Sequence, residues 1–250
     1  MTWVLANVPL VTTYLLAHLA QVVPAVCAAL VLSLPVALAA QRAGVLRGLI
    51  VSGSSLLYAI PSLALFVVLP LILGTGIRDA TNVVVALTLY GMALLVPAAV
   101  DALDAVDHRV LDAAAAMGMG RLRTMVTVEL PLAGPAILAA LRVVTVSTVS
   151  LTTVGAVLGV RSLGWLFTDG FQRGITAEVL TGVLATVALA LALDAVVLAL
   201  GRLALPWTRR PAGDPGDTGL TADTGDAGGA AHGMVDKAVD GAAGGGRGHR

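Results

Sequence analysis

The chain has 250 residues, of which 58% are apolar and only 12% charged, and its mean hydropathy is +0.93. An ordinary soluble domain is roughly 45–50% apolar and about 25% charged, so a soluble globule, a nucleic-acid binder and a wholly disordered chain are excluded as the main reading. Fifteen basic and fifteen acidic residues cancel to a formal net charge of zero, which implies no polyanionic partner.

The chain therefore reads as an all-α integral membrane protein, with runs long enough to cross a bilayer in about 20 residues each. Five transmembrane helices are predicted, and the runs are continuous rather than alternating, which disfavours a β-barrel. The first, Leu16–Ala40, is preceded by no basic residue, so no signal peptide is expected. It contains Cys27, the sole cysteine, which reads as a small buried hydrophobe; no disulfide within the chain and no cysteine-based metal site follow. The second span, Leu49–Leu73, carries Pro61 and Pro70, which predict kinks suited to a gated helix. The third is Thr81–Val100. The fourth, Pro135–Val160, holds Arg142 and a hydroxyl cluster that includes Thr145, Thr148 and Thr152. The fifth, Val179–Leu200, holds Asp194.

Orientation follows from the arginines. With the N-terminus outside, Arg42, Arg47, Arg109, Arg121, Arg123, Arg202, Arg209 and Arg210 lie inside, against Arg78, Arg161 and Arg173 outside. The C-terminus is then cytoplasmic. Residues 211–250 are rich in Gly, Asp and Ala, with too little apolar surface to offset the entropy of ordering; they read as a disordered cytoplasmic tail.

Between spans three and four, Asp101–Ile137 is polar yet patterned as helix. Val106, Val110, Ala113, Ala114 and Met117 fall at three- and four-residue steps, so they share one helical face. Gly118 is a helix stop, and a second short helix, Arg121–Glu129, should end at Leu130-Pro131. By pattern alone, an amphipathic helix pair lying on the membrane surface fits as well as a docking element. Asp112-Ala113-Ala114, three residues, Gly118, nine residues, then Val128-Glu129-Leu130-Pro131 resembles the coupling loop of bacterial ABC-importer permeases, with Asp112 where that family carries Glu and Val128 where it carries Ile. Pro61-Ser62-Leu63-Ala64, Met117-Gly118-Met119, Ala140-Leu141-Arg142 and Leu193-Asp194 further resemble the osmoprotectant branch, importers of glycine betaine, carnitine and choline. The resemblance spans residues 11–210.

That resemblance implies a type I binding-protein-dependent transmembrane domain in the inner membrane, moving a small osmoprotectant. It implies two cytoplasmic ABC ATPase subunits, a second permease copy or a sister permease, and an extracytoplasmic substrate-binding protein. Asp112, Ala113, Ala114, Gly118, Leu130 and Pro131 would couple ATPase to transport. The chain has no phosphate-binding Gly-x-x-x-x-Gly-Lys run, so no catalytic residue, cofactor or metal is expected here and ATP hydrolysis falls to the partner. Pro61, Ser62, Thr145, Thr148 and Thr152 are candidates for the translocation path. Few aromatics lie within spans, so a cage for quaternary ammonium is expected on the binding protein. Arg142 and Asp194 lie at matched depth and are predicted to pair. An ABC permease for another small solute, such as an amino acid or sulfonate, and a secondary transporter remain as alternatives. An intramembrane serine protease would need a Ser–His pair on facing helices, and His18 is badly placed for Ser54.

Overall fold

The computed structural model describes residues 2–208. Their α-helices are α1 (Thr2–Ala6), α2 (Val8–Arg42), α3 (Leu46–Ala59), α4 (Ser62–Leu73), α5 (Ala80–Asp104), α6 (His108–Ala116), α7 (Arg121–Thr124), α8 (Leu130–Thr152), α9 (Gly164–Gln172) and α10 (Thr176–Ala204). Four unbroken runs are long and apolar enough to cross a membrane, and α3 with α4 makes a fifth if that bent pair is counted as one span. The expected C-terminal tail lies outside the described residues.

The bundle is organised around α5, which packs against α2, α3, α4 and α8. Small side chains set the closest approach. Ala25, Ala29, Ser33 and Ala37 follow one another at four-residue steps along α2, and all are buried. A Cβ on Gly91 of α5 would come within 2.6 Å of the Ala29 Cβ. Helices in lipid associate by such close packing, because the hydrocarbon gives them no hydrophobic reason to do so. Ala40, Ala99, Val100, Leu103 and Ile137 form one apolar cluster. Phe66, Leu69, Val83 and Leu87 form another.

Two expectations are corrected. The second span is not a single kinked helix. It breaks at Ile60-Pro61, and its two halves meet at 104°. Proline drives the residue before it out of the α region, and Ile60 is extended at φ −70°, ψ 128°. The buried Tyr90 hydroxyl donates to the freed Ile60 carbonyl at 2.5 Å. Pro70, by contrast, lies within α4, near its end, without breaking it.

Leu130-Pro131 does not end a helix either. Arg121–Leu158 runs on as one helical stretch, because a π-turn, Met125–Glu129, precedes the proline. The Leu130 amide donates to the Met125 carbonyl five residues back. The widened turn absorbs the ring that would otherwise clash with the preceding turn of an α-helix.

The residues Val106, Val110, Ala113, Ala114 and Met117 are covered unequally. Val106 and Ala114 are buried, whereas Val110 and Met117 are 42% and 70% exposed. Helix α6 rests on Ala114, with Leu111 packed on the cluster of Ala40, Ala99, Val100, Leu103 and Ile137, and its other apolar residues point outward.

Beyond α8, a 3-10 turn (Thr153–Leu158) and the Gly159 reversal, at φ +83°, lead into α9. This stretch is seated on α2. Buried Gln21 donates through Nε2 to the Arg161 carbonyl at 2.8 Å, and the Leu163 amide donates to His18 Nδ1 at 3.3 Å. A Cβ on Gly164 would stand 2.2 Å from the Thr153 carbonyl oxygen, so only glycine fits there without a backbone shift.

Candidate coupling surface and translocation path

Helix α6 is defined at both ends by its own residues. Asp107 is the N-cap, its carboxylate accepting from the Arg109 amide at 2.9 Å, which satisfies one of the free amides of a helix start. Ala113–Ala116 continue the helix with the residue of highest helix propensity. Gly118 then takes φ +79°. Its amide donates to Ala115 O at 2.9 Å and the Met119 amide to Ala114 O at 3.1 Å. That pair of bonds is the Schellman ending, which calls for a left-handed residue at the position Gly118 occupies.

The result is a short, capped helix. Asp112, Ala113 and Gly118 are exposed, while Ala114 holds the helix to the bundle. Val110, Ala113 and Met117, spaced by three and four residues, form an outward apolar stripe. Behind α6 lies a cleft of about 460 Å³ lined by Arg42, Asp104, His108, Leu111, Met119 and Glu129, among others. Near it, Arg47 pairs with Asp104, tying the start of α3 to the end of α5. Leu130 and Pro131 are half-buried at the start of α8, distant in sequence from the α6 stripe but joined to it through α7 and the π-turn.

The candidate path residues divide. Pro61 is exposed and Ser62 half-buried, both at the break between α3 and α4. Tyr58, also exposed, meets Tyr90 edge-on with ring centroids 5.9 Å apart. Thr145, Thr148 and Thr152 are buried inside the subunit, and their hydroxyls donate to the carbonyls of Leu141, Val144 and Thr148 at 2.7–2.8 Å. Threonines that bond back to their own helix have no hydroxyl hydrogen left to offer a solute. Buried in this way, the three hydroxyls line no opening of the single subunit.

Arg142 and Asp194 are brought together. Nε donates to Oδ1 at 2.8 Å and Nη2 to Oδ2 at 2.7 Å, a two-pronged contact between α8 and α10. Among the described residues, no three His, Cys, Asp or Glu side chains gather as metal ligands. Outside the spans, the Asp79 carboxyl at the start of α5 is held below its ordinary range, chiefly by the Thr81 amide.

The family model for binding-protein-dependent transport system inner membrane components matches residues 29–210. The chain belongs to this family. Among curated relatives of this permease is the osmoprotectant import permease protein OsmW of Salmonella typhimurium, 30% identical over 71% of this chain and 83% of that one. The glycine betaine/carnitine/choline transport system permease protein OpuCD of Bacillus subtilis is 29% identical over 77% and 83%. The choline transport system permease protein OpuBD of the same organism is 30% identical over 64% and 70%. Among solved structures, a chain of the inward-facing MetNI methionine ABC transporter superposes with a TM-score of 0.68, covering 82% of this permease and 99% of that chain at 19% identity. A chain of an amino acid ABC transporter gives 0.65 over 82% and 97%. These likenesses in structure show the shared fold; membership of the family, with several apolar helices, makes this a multi-pass inner-membrane permease.

Sequence reasoning missed the residues that hold the permease's irregular parts. Tyr90 at the Ile60 break, and His18 and Gln21 under the turn before α9, are polar side chains inside apolar spans. That placement was the available signal, since a polar group within a membrane helix needs a partner.

Proposed function

We propose that this chain is the permease subunit of an ATP-driven importer for a small quaternary-ammonium osmoprotectant such as glycine betaine, carnitine or choline. The observation that carries the ATP-driven part is α6: a capped helix with its Schellman exit at Gly118 and an outward stripe of Val110, Ala113 and Met117. Such a helix is a rigid lever for a groove on an ATPase, and the chain has no nucleotide site of its own. The solute class is supported by the relatives named above.

Two ATPase subunits dock on the coupling loops Asp112–Gly118 of two permease copies, or of this permease and a sister. The N-terminus lies outside, the C-terminus in the cytoplasm, and a binding protein delivers solute from the outer side. Residues 11–210 form the membrane domain. The break at Pro61-Ser62 lies on the path, where a bent helix gates passage. Arg142 and Asp194 also hold α8 and α10 together.

The test is uptake of labelled glycine betaine, carnitine and choline into proteoliposomes holding this permease, its cognate ATPase and its binding protein. Uptake should require internal ATP and persist when ion gradients are collapsed. Uptake driven by an ion gradient without ATP would overturn the ABC reading; ATP-driven uptake of amino acids alone would overturn the solute class.

A further inference from the structure

We infer that Arg142 and Asp194 form a charge-selective station on the translocation path, Asp194 receiving the quaternary ammonium of the solute and Arg142 its carboxylate. This rests on the osmoprotectant reading above and goes beyond it, because it assigns discrimination among those solutes to the permease itself.

Four observations meet at the pair. First, it is deep. Arg142 lies twelve residues into α8 and Asp194 ten residues before the end of α10. At about 1.5 Å per residue both stand roughly 15–18 Å from those helix ends, at matched depth within spans that cross a ~30 Å hydrocarbon core. Second, it is not sealed: the side chains are 39% and 22% exposed. A charged group facing lipid at that depth is costly, and intramembrane ionisable residues face the bundle interior or a water-filled cavity instead. On this inference the open side of the pair faces an aqueous route and not acyl chains. Third, no other charged residue lies at this depth on α8 or α10, whose remaining charges, Glu178 and Arg202, sit near the ends of α10. Fourth, the contact uses Nε and Nη2 of the guanidinium and leaves Nη1 without a hydrogen bond among the described residues.

The chemistry matches a zwitterion. Opening the Arg142–Asp194 contact strands two opposite charges, and a betaine carries one of each sign. The carboxylate of the solute meets the guanidinium, which grips carboxylates in a two-pronged geometry, and its ammonium meets Asp194. One ion pair is thereby exchanged for two, and no charge is left uncompensated. Choline offers only the ammonium and leaves Arg142 without a carboxylate. Arg142 is thus the residue that separates zwitterion from cation, while Asp194 serves both.

The experiment compares glycine betaine and choline uptake in proteoliposomes holding the full chain, its ATPase and its binding protein. Wild type is set against Arg142→Gln and against the neutral double variant Arg142→Gln/Asp194→Asn, with permease content of the vesicles measured for each. The glycine betaine to choline ratio of kcat/KM, relative to wild type, should fall about tenfold in Arg142→Gln and stay lowered in the double variant, since a site built to bond a group discriminates by that group. A ratio within about twofold of wild type in both variants would overturn the inference, leaving the pair as a helix staple. So would equal loss of both solutes in variants that insert normally. If wild type takes up neither solute, the osmoprotectant reading itself fails, and this inference with it.

Discussion

Gly118 carries the exit of α6 at φ +79°, with open space where a Cβ would stand. A substitution there is penalised by backbone conformation alone, roughly 1–2 kcal/mol for a residue with a β-carbon. Gly118→Val should leave membrane insertion intact, loosen the Schellman turn and uncouple ATP hydrolysis from uptake; normal coupled uptake would remove Gly118 from the coupling element. Gly164 is the opposite case, tight on the Thr153 carbonyl. Gly164→Ala should lower the thermal unfolding midpoint in detergent, because a backbone atom cannot rotate away as a side chain can. Asp79 gives a pH dependence. Its pKa is lowered in the folded chain by the Thr81 amide, so its capping contribution is fully present above the ordinary aspartate range and is lost as pH falls through the lowered value. The protection of the Thr81 amide against hydrogen exchange, taken relative to the intrinsic rate at each pH, should fall in that acid window and hold at neutral pH.

At the scale of elements, α6 and the α3–α4 break are the two devices. The outward stripe on α6 runs through Met117, which is 70% exposed. Met117→Asp places a charge in a docking surface and should abolish co-purification of the ATPase without changing the amount of permease in the membrane. Retained co-purification would mean that the ATPase docks elsewhere. The break depends on Pro61 for its backbone and on Tyr90 for its carbonyl. Tyr90→Phe removes one hydrogen bond to a carbonyl that no helix satisfies, worth about 1–3 kcal/mol when the acceptor is buried. The expected outcome is a lowered uptake rate with unchanged ATPase docking, read from the same co-purification.

At the scale of the molecule, the membrane faces are unequal. α5 is largely enclosed, whereas α3 has no buried residue and the most apolar stretch of α10 is only 6% buried. Five spans of this length enclose no route on their own, so the complex with the ATPase should contain two permease folds by native mass measurement. A transport-active complex with one would sink the proposed assembly. Deleting residues 211–250, a stretch with almost no large apolar side chains, should leave insertion and coupled uptake unchanged.

Much of this protein was legible in its residues. Composition and run length placed it in the membrane, since hydrocarbon admits only long apolar helices. The run from Asp112 to Pro131 carried the resemblance to the family, and its cap, alanines and left-handed glycine were readable because they are local requirements. The depth of Arg142 and Asp194 could be counted along two helices. What the residues alone did not decide was which side of each element is covered. The stripe through Val110 and Met117 has the period of a buried face, yet only packing on the bundle decides that Ala114 goes inward. Thr145, Thr148 and Thr152 have the polarity of a path lining, yet α8 lies with that face inside the subunit. Pro61 and Pro131 are the same residue type with opposite outcomes. One breaks its span because Tyr90 waits to satisfy the freed carbonyl, and the other is carried through by a π-turn. In lipid, where apolar residues are at home on every face, periodicity marks a helix without marking its inside, and the neighbours across the bundle make that choice.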